Sequence, residues 1–420
     1  MSGERIVIVG SGQAAIQLAA SLRQEGHEGP ITLIGDEPGL PYQRPPLSKG
    51  YMKEGDAERL VLKPRSFFER NAIRLLDGVR VVALDRSART VATNDGATHG
   101  YDRLVLATGA RNVRPPIAGG THRDVVELRT LAHAETIRRR LAETRHAIVV
   151  GGGFIGLEFA AMARLAGAQV TVLEAADRLM ARAVSPAISG FVLDHHRGEG
   201  IAVMLGAKVA RIDDDEAERV VGVTLADGTG IEGDLVLVAT GVAPNVELAA
   251  DAGLAVANGI VVDGTLATND PAISAIGDCA SVPGPLGTHL RLESVQAATD
   301  QARHLASRLV HGGAAAYHAV PWFWSDQGAL KLQIAGLTSG VDRFETIRQE
   351  PLVTVILGFR GDHLASVETV NAPGDHMAAR KLLGREEAVT AEELRDAGFD
   401  LRGLAKAQVA GTRDRAVASA

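Results

Sequence analysis

Two stretches of the chain share one hydrophobic pattern, an apolar run that ends in a glycine-rich turn and continues with helix-like spacing. RIVIVGSGQAAIQLAA occupies residues 5–20, and IVVGGGFIGLEFAA occupies residues 148–161. A second apolar run follows each, ITLIG before Asp36 and VTVL before Glu174. Apolar runs that do not alternate with polar residues are typical of parallel strands buried on both faces. The pattern therefore predicts a βαβ unit at each place.

A second pair of apolar runs extends this similarity into a weak internal repeat. YDRLVLATGA at residues 101–110 and GDLVLVATGV at residues 233–242 each carry an aspartate six residues before a Thr-Gly pair. Duplication is the simplest explanation. The fold class predicted is α/β, with two doubly wound parallel sheets.

The hydrophobic pattern changes after residue 329. ALKLQIAGL, RFETIRQ, LVTVILG and HLASVETV predict four short strands joined by turns, and TAEELRDAG predicts a helix that starts near Thr390. This region is predicted to be a small α+β domain with an antiparallel sheet.

Composition narrows the class of protein. A length of 420 residues is typical of two or three domains. The net charge of −7 argues against nucleic-acid binding. One cysteine excludes an intramolecular disulfide and favours a reducing compartment. The sequence contains no run of about 18 apolar residues, so no membrane-spanning helix is predicted. The first strand starts at Arg5 or Ile6, which leaves no room for a signal peptide, so we expect a cytoplasmic protein.

The glycine spacing is informative only in context. With 47 glycines in the chain, G-x-G-x-x-G should arise by chance roughly 0.6 times. In a dinucleotide site the first glycine makes a tight turn, the second admits the pyrophosphate, and the third allows helix and strand to pack. A preceding strand and a following acid complete the pattern. The positions that meet it are Gly10, Gly12 and Ala15 with Asp36 or Glu37, and Gly151, Gly153 and Gly156 with Glu174.

Two such turns predict two dinucleotides, and a flavin with a nicotinamide is the most economical pair because hydride can pass between them. The alternative is two ordinary βαβ units whose glycines serve packing. No C-x-x-C, H-E-x-x-H or P-loop pattern occurs, so no metal site is predicted.

Several further motifs make the chain similar to a known family. GSGQAA, PYQRPPLSKGY, the two ATG strands, GGGFIGLEFA, IGDCA and PWFWSDQ occur in this order. Together they resemble the NADH-dependent, FAD-containing ferredoxin reductases of bacterial oxygenase systems, from about residue 5 to residue 400. The resemblance implies a monomer that takes hydride from NADH and reduces a [2Fe-2S] ferredoxin serving a monooxygenase or ring-hydroxylating dioxygenase.

The resemblance also assigns domains and residues. It implies an FAD-binding domain at 1–115 and 245–322, an NAD-binding domain at 116–244 and a C-terminal domain at 323–420. The residues it places at FAD are Gly10, Gly12, Ala15, Asp36 or Glu37, Arg44, Pro46, Lys49, Thr108, Gly109, Arg111, Asp278, Val295 and Trp324. Those it places at NAD are Gly151, Gly153, Gly156 and Glu174. The Glu174 carboxylate predicts a preference for NADH, because it would repel the 2′-phosphate of NADPH. Arg178 and Arg182 follow closely in the sequence and could instead attract that phosphate.

Lys49 and Glu158 are the predicted catalytic pair. The resemblance implies that they meet beside flavin N5, and we predict an ion pair within about 4 Å, the usual contact criterion. A carboxylate in the first turn of a helix can also serve that helix alone.

Simpler roles exist for the other motifs as well. YQRPPLSK can be a rigid proline turn, and Asp278 can be a helix N-cap. The aromatic residues 322–324 can belong to the hydrophobic core. His195 and His196 can lie on the solvated surface. Each of these alternatives requires no cofactor.

Three other functions are compatible with the same sequence features. One is a redox flavoprotein resembling apoptosis-inducing factor, another is an NAD-responsive binding protein, and a third is a rubredoxin reductase. Enzymes of this build that reduce disulfides carry cysteines beside the flavin, and PYQRPPLSKGY has none. Cys279, in IGDCA, is predicted to be a small buried hydrophobe.

Overall fold

The structure is a computed structural model and describes residues 3–122, 124–215, 219–284 and 287–407. It divides into two compact units, the first formed by Met1–Pro46, Asp56–Arg111 and Val242–Ala319, and the second by Leu47–Gly55, Asn112–Gly241 and Val320–Ala420. The domain boundaries given above stay a prediction, and the part of 323–420 beyond residue 407 lies outside the described residues.

In chain order the helices are α1 Gln13–Gln24, α2 Gly50–Glu54, α3 Arg65–Arg70, α4 Leu131–Leu141, α5 Phe154–Leu165, α6 Pro186–Gly198, α7 Glu247–Asp251, α8 Val295–His311, α9 Pro373–Leu383 and α10 Ala391–Asp396. The strands are β1 Ile6–Val9, β2 Ile31–Gly35, β3 Ile73–Asp77, β4 Val81–Asp85, β5 Thr90–Thr93, β6 Thr98–Gly100, β7 Arg103–Leu106, β8 Ala110–Asn112, β9 Val125–Val126, β10 His146–Val150, β11 Gln169–Glu174, β12 Ala202–Leu205, β13 Val209–Asp214, β14 Val220–Leu225, β15 Gly230–Glu232, β16 Leu235–Val238, β17 Val242–Pro244, β18 Val256–Ala257, β19 Gly259–Val261, β20 Ile273–Ala275, β21 Ala280–Pro283, β22 His289–Leu290, β23 Trp322–Gln327, β24 Leu330–Gly336, β25 Arg343–Glu350, β26 Val353–Arg360 and β27 His363–Val370.

The first unit contains a parallel sheet in the order β20-β7-β1-β2-β3. All four residues of β1 are buried, as expected for a strand covered on both faces. Val9, the last residue of β1, lies opposite Ile34 and Leu106. The helix α1 leaves this edge and packs on α8.

The second unit repeats this arrangement. Its parallel sheet has the order β12-β11-β10-β16-β9, and Val150 at the end of β10 lies opposite Leu173 and Val238. The repeat seen in the sequence therefore places β7 and β16 at equivalent positions beside the strand of the glycine turn. The predicted pair of doubly wound sheets is confirmed.

The antiparallel sheet of the second unit has the order β23-β24-β27-β26-β25. The four predicted strands correspond to β24 to β27. The fifth, β23, was not predicted as a strand because two of its inward positions are polar, Ser325 and Gln327. Helix α9 was not predicted either, whereas α10 starts where expected, with the Thr390 hydroxyl accepting from the Glu393 amide.

Candidate active site

The first glycine turn joins β1 to α1. Gly10 has φ +115°, and a Cβ there would overlap the carbonyl oxygen of Ala107. Gly12, the N-cap of α1, is extended, and a Cβ there would meet nothing within 4 Å. The first position thus requires glycine for the backbone, while the second faces open space. Ala15 is fully buried against the sheet.

The second glycine turn joins β10 to α5 with the same geometry. Gly151 has φ +113° and lies against the Ala239 carbonyl, and a Cβ on the N-cap Gly153 would meet nothing within 4 Å. At Gly156 a Cβ would overlap the carbonyl oxygen of Gly151. This third glycine lets α5 pack directly on its own turn.

The N-termini of these two helices fit a pyrophosphate. In α4, α6 and α8, side chains of Thr130, Ser185 and Ser294 accept a hydrogen bond from a first-turn amide. In α1 and α5 the N-cap is a glycine and no side chain does so. Their first-turn N–H groups therefore remain available to phosphate oxygens, with the helix dipole in the favourable sense.

The acids after β2 have different surroundings. Asp36 is exposed, with its carboxylate 3.6 Å from the Arg80 guanidinium. Glu37 is half-buried, forms an ion pair with Arg44 and accepts a hydrogen bond from the Tyr42 hydroxyl. Which of the two would contact a ribose stays a prediction.

The acid after β11 is bonded to the second turn itself. Glu174 Oε2 accepts from the Gly152 amide at 2.7 Å, and Oε1 accepts from the Ala176 amide at 2.8 Å. The Arg178 guanidinium donates to two carbonyls of its own loop, Ala181 at 2.6 Å and Val184 at 2.9 Å. Arg178 is thereby held within its loop.

The remaining predicted flavin residues of the first unit lie on four elements, namely the turn after β7, strand β8, helix α8 and a 3₁₀ turn. Thr108 Oγ1 donates to the Asn245 carbonyl at 2.7 Å, and Gly109 is left-handed with φ +66°. Arg111 is ion-paired with Glu247 at 2.7 Å. Val295 is the first residue of α8. Asp278 lies inside the 3₁₀ turn Gly277–Cys279 rather than at an N-cap.

Cys279 is fully buried, and its Sγ lies 3.3 Å from the Ile276 carbonyl oxygen. Burial raises the pKa of the thiol. The prediction that it is a buried hydrophobe is confirmed, and as the only cysteine of the chain it cannot form an internal disulfide.

The second unit contains the predicted ion pair. Lys49 Nζ lies 2.9 Å from Glu158 Oε1, and the two side chains are 18% and 5% exposed. Two hydroxyls also donate to this carboxylate, Ser48 Oγ to Oε2 at 2.5 Å and Ser325 Oγ to Oε1 at 2.7 Å. The ion pair is confirmed, and its role stays a prediction; the two serines were not predicted.

Three donors explain how a carboxylate can lie in this interior. Burying a charge is costly unless a partner and hydrogen bonds replace its hydration. Glu158 is the fifth residue of α5, one position beyond the first turn in which the sequence placed it. An acid stabilising only the helix terminus would need neither this depth nor these donors.

Strand β23 carries the predicted Trp324. Its ring lies 5.6 Å from that of Trp322, with the planes tilted by 34°, and Phe323 packs edge-on against Phe154 of α5 at 4.3 Å. All three aromatic residues of β23 are half-buried, and Trp322 packs against the hydrophobic core of the antiparallel sheet, as the alternative of a core role expects for at least one of them. Pro46 is also half-buried, in the 3₁₀ turn Pro45–Ser48.

The expectation of a solvated pair His195 and His196 is wrong for His196. This residue is 1% exposed, because it lies on the face of α6 that packs inward, and its Nε2 is 2.9 Å from Gln327 Oε1. Helical spacing of the neighbouring buried residues Ser189 and Val192 is the signal that could have placed it.

The model of the pyridine nucleotide-disulphide oxidoreductase family matches residues 4–302, and a second model, described as reductase C-terminal, matches residues 322–405. The chain belongs to this family. The predicted oxidoreductase class and the cofactors FAD and NAD are thereby confirmed. Among the described residues no helix has the length and apolar character needed to cross a membrane.

Relatives within the family match over nearly the whole chain. Rhodocoxin reductase of Rhodococcus erythropolis is 49% identical, over 99% of this chain and 97% of the relative. Putidaredoxin reductase of Pseudomonas putida is 38% identical, over 96% and 97%. The crystal structure of the ferredoxin reductase for the CYP199A2 system from Rhodopseudomonas palustris superposes with a TM-score of 0.92 at 46% identity, covering 96% of this chain and 100% of that one. The predicted resemblance is confirmed.

Proposed function

We propose that this protein is an NADH:ferredoxin oxidoreductase, which takes hydride from NADH onto FAD and passes electrons one at a time to a [2Fe-2S] ferredoxin that supplies a monooxygenase or ring-hydroxylating dioxygenase. The observation that carries the proposal is the buried Lys49–Glu158 pair at the start of α5, on a chain that is similar along its length to ferredoxin reductases.

The residues of the two turns would hold the cofactors. The first turn, with Gly10, Gly12 and Ala15, would bind the FAD pyrophosphate at the N-terminus of α1, and the second would bind that of NADH at the N-terminus of α5. Glu174 would accept a hydrogen bond from the ribose 2′-hydroxyl and repel a 2′-phosphate, which favours NADH over NADPH.

Bound FAD supplies a two-electron acceptor that can release single electrons. Lys49 would contribute a fixed positive charge where negative charge develops, and such a charge is effective because it needs no reorganisation. Glu158 would hold that ammonium in place and orient the incoming carboxamide. Ser48 and Ser325 would keep the carboxylate in one orientation.

The acceptor is inferred from relatives. The names rhodocoxin reductase and putidaredoxin reductase, and a solved covalent complex of putidaredoxin reductase with putidaredoxin at 38% identity and TM-score 0.91, support a ferredoxin. Rubredoxin-NAD(+) reductase of Pseudomonas putida, 39% identical over 88% of this chain, supports rubredoxin as the second candidate. We further propose that the protein is cytoplasmic, which the single cysteine supports, and that it binds no nucleic acid, which the net charge supports. That it is a monomer is proposed from the family resemblance alone.

Anaerobic stopped-flow mixing tests the proposal. The purified protein, after its flavin has been identified as FAD by denaturation, is reduced with one equivalent of NADH and mixed with the [2Fe-2S] ferredoxin encoded nearest to it or with a rubredoxin. We expect the ferredoxin to be reduced at least tenfold faster than the rubredoxin. The reverse order would make the protein a rubredoxin reductase, and transfer to neither acceptor would overturn the proposal.

A further inference from the structure

A chain of buried polar side chains extends from the Lys49–Glu158 pair into the interior of the second unit. Ser325 Oγ lies 2.7 Å from Glu158 Oε1, Gln327 Nε2 lies 3.1 Å from Ser325 Oγ, and His196 Nε2 lies 2.9 Å from Gln327 Oε1. Ser325, Gln327 and His196 are each at most 1% exposed. Three structural elements are thereby joined, namely α5, β23 and α6.

The hydrogen bonds that link these buried polar side chains all run in one direction. A carboxylate only accepts, so the Ser325 hydroxyl must donate to Glu158, and its lone pair then accepts from the Gln327 amide NH₂. The amide oxygen consequently faces His196, which must carry a proton on Nε2. Burial lowers the pKa of His196, which favours the neutral ring with a single N–H. Each group therefore fixes the orientation of the next.

The same glutamine contacts the loop beside the second glycine turn. Gln327 Nε2 lies 3.7 Å from Met180 Sδ, and the Met180 amide donates to the Gly152 carbonyl at 3.0 Å. Met180 has φ +50°, a conformation that a residue other than glycine adopts only when its surroundings hold it. One amide side chain thus contacts the neighbour of Glu158 and the loop that braces the turn.

A buried polar chain of this kind is costly unless every member is satisfied. An apolar side chain at residue 327 would fill this position of the antiparallel sheet and would require no hydrogen bond from His196. The position of the chain, directly behind the Glu158 carboxylate, gives a reason for the polar residues.

We propose that Gln327 and His196 are positioning residues for hydride transfer, which hold the Ser325 hydroxyl toward Glu158 and so fix the carboxylate that orients Lys49 and the nicotinamide. The inference rests on the function proposed for Glu158. It adds two residues, His196 on α6 and Gln327 on β23, that would act on the carboxylate through hydrogen bonds rather than by contact with substrate or cofactor.

The test is the limiting rate constant of flavin reduction by NADH, measured by stopped flow with the holoprotein. We expect Ser325→Ala and Gln327→Met each to lower it about tenfold, the size of one hydrogen bond to a charged group, while the NADH dissociation constant stays within about threefold. His196→Leu should also lower it, and His196→Gln, which retains a neutral N–H donor, should recover most of the loss.

Because the residues act in series, the double variant Ser325→Ala, Gln327→Met should be no slower than the slower single variant. In a Glu158→Ala background Gln327→Met should have no further effect. Ser366→Ala is the matched control: this serine is also fully buried in the same sheet, on β27, and among the described residues its hydroxyl has no hydrogen-bond partner.

The proposal is overturned by additive losses, by a loss that persists in the Glu158→Ala background, or by an equal loss in Ser366→Ala. If Glu158→Ala slows reduction while Ser325→Ala and Gln327→Met do not, only the positioning role fails. If Glu158→Ala itself reacts at the parent rate, the role proposed for Glu158 fails as well. Ser325→Ala keeps the test available if Gln327→Met does not fold.

Discussion

The two glycine turns share a backbone and differ in what surrounds it. Gly10 and Gly151 have nearly the same φ, +115° and +113°, and each lies against the carbonyl that follows the neighbouring strand, that of Ala107 or Ala239. Two residues after the third position the first helix has Gln17 and the second has Glu158. Gln17 donates to Ser21 of its own helix, whereas Glu158 accepts from three side chains outside α5.

The acids that follow the turns differ in the opposite sense, because here the acid after the first turn is the one that bonds to other side chains. Glu174 is bonded to the amide of Gly152 within its turn, whereas Glu37 is bonded to Arg44 and Tyr42. The shared glycine pattern therefore accounts for the common backbone of the two turns. Residues outside the glycine pattern determine which side chains surround each turn and what those side chains are bonded to.

The largest effect is expected from the first glycine of a turn. Gly10→Ala would force a methyl group into the Ala107 carbonyl at a positive φ, and we expect a loss of at least ~3 kcal/mol in the free energy of unfolding, with no flavin retained. Gly12→Ala would meet open space and should leave the apoprotein's unfolding midpoint unchanged while lowering FAD content. Denaturant unfolding and flavin absorbance distinguish the two, and equal instability in both variants would contradict the geometry.

The next effect concerns Glu158 and its counterpart Gln17. We expect Glu158→Ala to slow reduction of the flavin by NADH about 100-fold, because the carboxylate no longer holds Lys49 in place. FAD should remain bound. Gln17→Ala, the matched change on α1, should react within about twofold of the parent, since its side chain bonds only within its helix. Equal rates for the two variants would remove the functional difference between the turns.

A smaller effect is expected at Glu174. The parent should use NADH more efficiently than NADPH, and Glu174→Ala should reduce that preference about tenfold by removing the repulsion of a 2′-phosphate. The ratio of kcat/KM for the two coenzymes measures it. If the parent uses both equally, Arg182, which is exposed on the loop after β11, rather than Glu174 determines the choice.

The smallest effect is expected at Cys279, which lies in the first unit. Cys279→Ser should leave NADH-dependent reduction of ferredoxin within about threefold of the parent, because no second cysteine exists to form a redox disulfide. Its new hydroxyl can donate to one of the two carbonyls that the thiol now faces, those of Leu106 and Ile276. Loss of activity with FAD fully bound would show that the thiol takes part in the reaction.

Much of the fold could be predicted because its signals are local. A glycine that must adopt a positive φ, as Gly10 and Gly151 do, and an apolar strand on either side of it stand within a few residues of one another. Strand β23 escaped prediction because Ser325 and Gln327 occupy positions that normally carry apolar side chains. His196 escaped because its polar side chain masks the helical spacing that it shares with the buried residues Ser189 and Val192.

The sequence by itself determined the two glycine turns, their parallel sheets and, through its resemblance to a family, the pairing of Lys49 with Glu158. Only the tertiary structure decided what surrounds that pair. Ser325 lies 167 residues from Glu158 along the chain, and Gln327 lies 131 residues from His196. A hydrogen bond across such a separation leaves no periodic pattern in the sequence, because it depends on how α5, α6 and β23 pack together and not on the conformation of any one of them.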